Sequence, residues 1–184
     1  MILLDYLLAA MLYMSPLHQN MFKEDPLKRL ERYQSIAEDI SEVVLQEESF
    51  FTGKYGKERT AVLLASVALN ESNFDENIDK GIKRGKLGEV CIMQVMPGMK
   101  DTKYNYSAKY LLEDRKNCIR AALDIMRGSD CGGSIDHRLR GYASGKCSKQ
   151  SNKKSEAEIR KTARNEVAGY YRFMYKYDPT KFTK

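Results

Sequence analysis

Glu71 is the residue of this sequence best placed to serve as an acid catalyst. It follows the apolar run Ala61-Val62-Leu63-Leu64-Ala65, inside a stretch predicted to be helical over residues 57–70. Because that run is apolar around most of the helix, the helix should be central and buried. A carboxyl group at its end would leave an apolar wall, and desolvation would raise its pKa. A general acid that works near neutral pH requires such a shift.

Two later segments follow Glu71 in an informative order. The first is Ile92-Met93-Gln94-Val95-Met96-Pro97, and the second is Gly141-Tyr142-Ala143-Ser144-Gly145. Together with Glu71-Ser72-Asn73-Phe74, and with residues 117–121 between them, they resemble the soluble lytic transglycosylases. That family is lysozyme-like and akin to the goose-type lysozymes, and the resemblance covers about residues 57–145. Three ordered motifs are a fairly specific signal, whereas any one of them is weak.

The resemblance implies a role for each matching residue. Glu71 would be the single catalytic acid and base, and the hydroxyl group of Tyr142 would hold its carboxyl group in place. Met93 and Gln94 would line the sugar cleft, and Ser144 is expected to contact the substrate as well. Packing roles are the alternative for two of them, because methionine fills irregular core gaps and tyrosine packs with a hydrogen bond at its tip.

The activity that the resemblance implies is cleavage of the β-1,4 bond between N-acetylmuramic acid and N-acetylglucosamine in peptidoglycan. Most glycosidases need two carboxyl groups for such a reaction. A lytic transglycosylase instead uses the sugar's own 6-hydroxyl group as nucleophile and leaves a 1,6-anhydro end. One acid and base is then enough, and the intramolecular nucleophile has a high effective concentration. The expected partner is the glycan strand, with no metal and no cofactor.

Two other functions stay open. Asp75, Glu76, Asp79 and Glu89 are near enough in sequence to supply a second carboxylate. If Asp79 or Glu89 faced Glu71 across the cleft, a hydrolase of the lysozyme type would be the better interpretation. The other alternative is a non-catalytic glycan-binding or virion structural module that kept the fold.

The four cysteines are Cys91, Cys118, Cys131 and Cys147, and they lack the close C-x-x-C pairs of zinc sites. Two disulfides could connect them in three ways. Cys131 and Cys147 flank a glycine-rich stretch and could bridge in an oxidising space, while buried free thiols are the alternative. Cys91 also stands where the family usually has a glycine, and Ala143 stands where it usually has an asparagine.

The elements that must position these residues are mainly helical. Asp25 followed by Pro26 predicts a helix start, and residues 75–88 have the glycine-rich, polar composition of a loop. The expected fold is mainly α, of the α+β lysozyme-like class: a single helical domain with a small irregular or β-hairpin segment beside the cleft. Helices are predicted over residues 26–48, 57–70, 107–127 and 155–177, the last with a capping box at Ser155 and Glu158.

Residues 1–50 are predicted to be an N-terminal helical extension packed on the domain, and residues 51–184 the lysozyme-like transglycosylase domain. Residues 1–14 are almost wholly apolar, but they are shorter than a membrane span, contain Asp5 and lack the cationic start of a secretory signal. We therefore expect a helix that packs on the domain or docks it to a virion or envelope assembly.

The basic charge lies in the C-terminal fifth of the chain. The formal net charge is +6, and residues 146–184 hold 11 Lys and Arg against 4 Asp and Glu. A basic segment can face nucleic acid, anionic lipid or an anionic envelope polymer, or form a solvated helix face. Nucleic acid is not expected, because zinc-finger spacing, RNP-like strands and basic zippers are missing. The expected place of action is the bacterial envelope or periplasm. A transglycosylase encoded by a phage would reach it from a virion or from the host cytoplasm.

Overall fold

The structure, a computed structural model, describes residues 3–18, 24–98, 105–128, 138–139, 142 and 168–177. Most of these residues are helical, so the expected mainly α class is confirmed. Within these ranges the only β-pairing is an antiparallel bridge between Val90 and Val95. The helices are α1 (Leu3–Met14), α2 (Pro26–Gln46), α3 (Gly56–Ser72), α4 (Glu76–Asp79), α5 (Ala108–Glu113), α6 (Arg115–Gly128) and α7 (Ala168–Tyr177).

Helix α2 is capped at both ends by side chains. At its start, Asp25 Oδ1 accepts the backbone N–H group of Leu27 at 2.7 Å, and Pro26 occupies a position where no N–H group is needed. At its end, Lys57 Nζ donates to backbone carbonyl oxygens, among them that of Val44 at 2.6 Å. A cation there also complements the partial negative charge of the helix C-terminus. The predicted start of this helix is therefore confirmed.

Helix α3 is the central helix of the core, as its apolar run predicts. Every residue from Ala61 to Ala68 is buried, and the helix packs against α1, α2 and α7. The hydroxyl group of Ser66 accepts the N–H group of Tyr170 at 2.9 Å, which satisfies both polar groups inside the core. Because α3 is enclosed by three other helices, its C-terminal end has a fixed position.

The first two helices share one hydrophobic core with the helices that follow them. Helix α1 buries Tyr6, Leu7, Ala10 and Met11. The hydroxyl group of Tyr6 also donates to the backbone carbonyl oxygen of Tyr177 at 2.9 Å, which links α1 to α7. In the ranges that the structure describes, no helix has both the length and the apolar character needed to cross a bilayer.

The predicted single helix over residues 107–127 is wrong in one respect, because the segment forms two helices. Asp114 has an extended backbone, with φ −146° and ψ 130°, and separates α5 from α6. Its Oδ1 accepts the N–H group of Lys116 at 2.8 Å, and its carbonyl oxygen accepts that of Asn117 at 2.9 Å. An aspartate can compete in this way with the helix for backbone groups. The break therefore results from a side chain that starts the next helix.

The segment predicted as a loop over residues 75–88 contains the single-turn helix α4. Of the last predicted helix, α7 represents the C-terminal part, and the capping box at Ser155 and Glu158 lies outside the described residues.

Candidate functional site

Glu71 lies in the last turn of α3, one residue before the helix ends, and is partly exposed. The next residue, Ser72, is buried; its hydroxyl group donates to the carbonyl oxygen of Ala68 at 2.7 Å and accepts the N–H group of Phe74 at 3.2 Å. Asn73 and Phe74 then take left-handed conformations, with φ of 53° and 55°. A rigid helix and a well-bonded turn therefore place Glu71 at the boundary of the core.

The predicted Met-Gln segment forms a tight turn between Val90 and Val95, named here the 90–95 turn. These two residues exchange both backbone hydrogen bonds, each 3.0 Å long. Gln94 folds back onto Cys91, because its backbone N–H group and its side-chain Nε2 both donate to the Cys91 carbonyl oxygen, at 2.9 and 3.1 Å. Gln94 is partly exposed, so the turn presents this side chain at its surface.

The 90–95 turn is tied covalently to α6. Cys91 forms a disulfide with Cys118, and the N–H group of Met93 donates to Cys118 Sγ at 3.4 Å. The sequence left the connectivity open and drew attention to Cys131 and Cys147, which both lie outside the described residues. Because Cys91 and Cys118 are bonded to each other, the alternative of buried free thiols does not apply to these two residues.

The second and third motifs meet at Met93. Its side chain is fully buried, which is the core position that the sequence offered as one alternative. Its backbone carbonyl oxygen accepts a hydrogen bond from the hydroxyl group of Tyr142. The predicted contact between Tyr142 and Glu71 stays a prediction, and Ser144 lies outside the described residues. The structure thus joins Tyr142 to the turn that carries Gln94.

Three of the four carboxylates that could assist the acid either pair with a cation or cap a helix. Asp79 forms an ion pair with Arg115, with 2.7 Å between Oδ2 and Nη2. Asp75 caps α4 by accepting a backbone N–H group of its first turn at 2.8 Å. Glu76 pairs with Lys80 one helical turn later, and the hydrogen bond from Lys80 lowers the pKa of Glu76. These three side chains therefore form contacts that stabilise the local fold.

The fourth carboxylate, Glu89, borders Gln94 at Gly85. Its Oε2 accepts the backbone N–H group of Leu87 at 2.9 Å. A Cβ atom built on Gly85 would lie 2.2 Å from Glu89 Oε2 and 2.7 Å from Gln94 Oε1. The two oxygen atoms therefore converge on the space that a side chain at position 85 would fill. Glycine at this position is what allows both groups to adopt these positions.

The backbone marks out the same two segments as the motifs. In the described ranges, the non-glycine residues with a positive φ are Asn73, Phe74, Cys91 and Gln94. The first two directly follow Glu71, and the other two lie in the 90–95 turn. A residue with a Cβ atom seldom adopts this conformation, which persists where its surroundings impose it and which concentrates at functional sites. The backbone conformation therefore distinguishes the same two segments that the motifs identify as candidates for a functional site.

The described side chains of this site can transfer protons and form hydrogen bonds. Glu71 supplies a carboxyl group, and the amide of Gln94 can both donate and accept. In the part of the chain that the structure describes, no three His, Cys, Asp or Glu side chains are grouped so as to hold a metal ion. These groups can give and take a proton and can form hydrogen bonds with a ligand that carries hydroxyl groups.

Sequence reasoning does not find Cys118 or Gly85 as residues of this site. Cys118 lies on the apolar face of α6, which is the only signal for its burial, and its partner is 27 residues away. Gly85 is one of several glycines in a polar segment, and only the approach of Glu89 and Gln94 distinguishes it. Both residues act through contacts between segments that the sequence does not reveal.

The resemblance to the soluble lytic transglycosylases rests on three short sequence motifs in order. Comparisons of the whole chain with protein-family models, with curated proteins and with solved structures find no match.

Proposed function

We propose that this protein is a lytic transglycosylase of peptidoglycan, in which Glu71 is the single acid and base and the products carry 1,6-anhydro ends. The observation that carries the proposal is the position of Glu71, partly exposed in the last turn of a helix whose inner residues are fully buried. A carboxyl group there has a fixed backbone and an accessible side chain, as an acid and base catalyst needs.

The reaction requires two proton transfers at one carboxyl group. Protonated Glu71 gives its proton to the glycosidic oxygen while the bond from that oxygen to C1 of N-acetylmuramic acid breaks. The N-acetylglucosamine unit leaves with a free 4-hydroxyl group. The Glu71 carboxylate then takes the proton of the 6-hydroxyl group of the muramic acid while O6 bonds to C1. The carboxyl group ends protonated, as it began, and no water is consumed.

Gln94 and Tyr142 would bind and support the substrate in this scheme. The side-chain amide of Gln94 donates to the Cys91 carbonyl oxygen, so its own oxygen can accept from a sugar hydroxyl or acetamido N–H group. Tyr142 holds the turn from another side through the carbonyl oxygen of Met93. Met93 would support the 90–95 turn that carries Gln94, since its side chain is buried in the core.

The disulfide supports a place of action in an oxidising space, such as the bacterial periplasm or envelope. The glycan strand is the partner there, and the basic segment 146–184 suits an envelope that contains anionic polymers. Transport within a virion, or release from the cytoplasm of an infected host, would bring the enzyme to this compartment.

The test of catalysis compares Glu71→Gln with Glu113→Gln on purified cell-wall sacculi. Glu113 is the exposed last residue of α5, so the control makes the same chemical change at another helix end. We expect Glu71→Gln to lower the rate of cleavage by about 10²–10⁴-fold, the usual contribution of a general acid. Glu113→Gln should keep the wild-type rate, and both variants should unfold at the wild-type temperature. A wild-type rate in Glu71→Gln would show that Glu71 is not the acid, and sacculi left uncleaved by the wild-type protein would leave a non-catalytic glycan-binding or virion structural module instead.

A lysozyme-type hydrolase is the second candidate, and Glu89 favours it because its carboxylate borders Gln94. Hydrolysis needs a second carboxylate to activate water or to act as nucleophile. Mass spectrometry of the released fragments separates the two reactions, since an anhydro end is lighter than a reducing end by one water. Reducing ends, together with loss of activity in Glu89→Gln, would replace the transglycosylase assignment by hydrolysis.

A further inference from the structure

We infer that the Cys91–Cys118 disulfide positions Gln94, and that the candidate site is complete only when this pair is oxidised. The two cysteines are 1% and 0% exposed, so they act through the 90–95 turn and not on the glycan itself. They are positioning residues. The statement about activity rests on the proposed function, whereas the statement about the turn does not.

The backbone of Cys91 has a φ of 63°, which lies in the left-handed region. Glycine adopts this region freely, whereas a residue with a Cβ atom adopts it rarely. Such a conformation persists where other contacts impose it. At Cys91 one such contact is covalent, because its Sγ is bonded to Cys118 in α6. The disulfide supplies a constraint that a glycine at this position would make unnecessary.

Helix α6 anchors the disulfide that constrains Cys91. Helix α6 packs against α2, and its first residue, Arg115, bonds to Asp39 of α2 and to Asp79 of α4. Cys118 is fully buried in this helix, and its Sγ also accepts the N–H group of Met93 at 3.4 Å. A fixed helix therefore holds the turn through one covalent bond and one hydrogen bond to the same sulfur atom.

Cys91 in turn holds Gln94 through two hydrogen bonds. The Cys91 carbonyl oxygen accepts both the backbone N–H group and the side-chain amide of Gln94, at 2.9 and 3.1 Å. Without the disulfide, Cys91 can return to an ordinary negative φ, which reorients this carbonyl group. The shared acceptor of Gln94 is then lost. The amide samples several positions, and its contribution to glycan binding falls.

The chemistry of the pair is a thiol–disulfide exchange. The thiols of Cys91 and Cys118 lose two protons and two electrons, and a disulfide oxidant of the envelope is reduced to two thiols. A dithiol reverses the reaction and becomes a disulfide itself. Because both sulfur atoms are buried, an external thiolate has little access to them in the folded protein. The state reached during folding is therefore retained, and the enzyme matures in an oxidising compartment.

The test compares wild type with the double variants Cys91→Ser/Cys118→Ser and Cys91→Gly/Cys118→Ser, each folded with and without dithiothreitol. The glycine variant is the matched control, since glycine adopts the left-handed conformation without a tether. We expect reduced wild type and the serine variant to show a KM for glycan oligomers raised about tenfold, the effect of one lost substrate hydrogen bond, with kcat little changed. Oxidised wild type and the glycine variant should share the lower KM.

The glycine variant also controls for the other two cysteines. Dithiothreitol reduces any bond made by Cys131 or Cys147, so a fall in wild-type activity that arose from them would recur in this variant. We expect its KM to be the same with and without the reductant. A glycine variant that behaves like the serine variant would overturn the inference.

Hydrogen exchange gives a second measurement that does not depend on activity. The backbone N–H groups of Val90 and Val95 each donate to the carbonyl oxygen of the other residue at 3.0 Å. These two N–H groups should exchange about tenfold faster or more in reduced wild type and the serine variant. Core amides of α3 should keep their protection. Equal KM and equal exchange in reduced and oxidised wild type would overturn the inference. If no form cleaves glycan, the proposed function fails, and the exchange result alone decides whether the disulfide positions the turn.

Discussion

Replacing Arg115 with methionine removes the cation that joins three helices beside the candidate site. Arg115 Nε donates to Asp79 at 2.8 Å, and its Nη1 donates to Asp39 at 2.5 Å and to Ser35 at 3.0 Å. Asp79 ends α4, the short helix that follows Glu71, whereas Asp39 and Ser35 belong to α2. Methionine keeps much of the apolar stem while it removes all of these bonds. The α4 segment then loses its tie to α2 and α6.

The expected loss of stability follows from the burial of the carboxylates. The side chain of Asp79 is 7% exposed and that of Asp39 is 24% exposed. Removing one partner of a fully buried ion pair costs about 3–5 kcal/mol, because the remaining charge is left without compensation. An exposed pair contributes at most about 1 kcal/mol. For one buried and one partly exposed carboxylate, we expect Arg115→Met to lower the free energy of unfolding by about 2–3 kcal/mol at neutral pH.

The loss should shrink in acid, as the behaviour of Asp39 indicates. Burial raises the pKa of Asp39 above its ordinary value, and the charge of Arg115 opposes that rise. Without the guanidinium group the pKa of Asp39 rises further, so the folded variant keeps a proton to a higher pH than its unfolded chain does. A raised pKa favours folding below the unfolded value and reduces stability as the pH rises through the folded value. The deficit of Arg115→Met is therefore largest near neutral pH and smallest near the ordinary pKa of an aspartate, about pH 4.

Urea unfolding followed by circular dichroism at the two pH values measures the effect. Lys116→Met is the matched control, because this neighbouring cation pairs with Glu42 on the surface of the protein. The control should change stability little at either pH. Equal losses in Arg115→Met and Lys116→Met, or a deficit in Arg115→Met that does not change with pH, would refute the reasoning.

Two further variants test other close contacts. Gly85→Ala should displace the oxygen atoms of Glu89 and Gln94, which would lie 2.2 and 2.7 Å from the new Cβ atom. Since both are flexible side-chain ends, we expect a loss below about 1 kcal/mol in urea unfolding and a KM for glycan raised at least about threefold; an unaltered KM would contradict a binding role for Gln94. Tyr33→Phe removes the hydroxyl group that accepts from buried Arg29 at 2.9 Å. It should cost about 1–3 kcal/mol in the same assay, and a loss below about 0.5 kcal/mol would show that the guanidinium group finds another partner.

The helices that depend on local signals could be predicted from the sequence. Helix α2 starts at Pro26 because its cap, Asp25, is the preceding residue, and both belong to the same few residues of chain. The burial of α3 follows from a run without a polar face, which only a central helix can accommodate. The place of Glu71 at the end of that helix is local in the same sense. The position of Glu71 could therefore be predicted without knowledge of any long-range contact, whereas its role as an acid stays a prediction.

The features that depend on distant contacts could not be predicted. Asp114 is one polar residue in an otherwise helical pattern, and only the path of α6 decides that its carboxylate bonds to the backbone of Lys116. The pairing of Cys91 with Cys118 needs the 90–95 turn to reach α6, and three connectivities were equally consistent with the sequence. The orientation of Gln94 depends on that pairing through the Cys91 carbonyl oxygen. The orientation of Gln94 is thus a product of tertiary structure.

Phe74 and Cys91, two residues with a left-handed backbone, are held by contacts with helices α2 and α6. Phe74 is fully buried, and its ring packs edge-to-face on that of Tyr33 in α2, with 5.0 Å between the centroids. Cys91 is bonded to α6. Arg115 in turn fixes α6 to α2, so the turn after Glu71 and the 90–95 turn share one support. Because strained backbone is retained only where its surroundings impose it, loosening the contact between α2 and α6 should release both turns together. Variants at that contact can therefore alter both turns without a change in the residues of either turn.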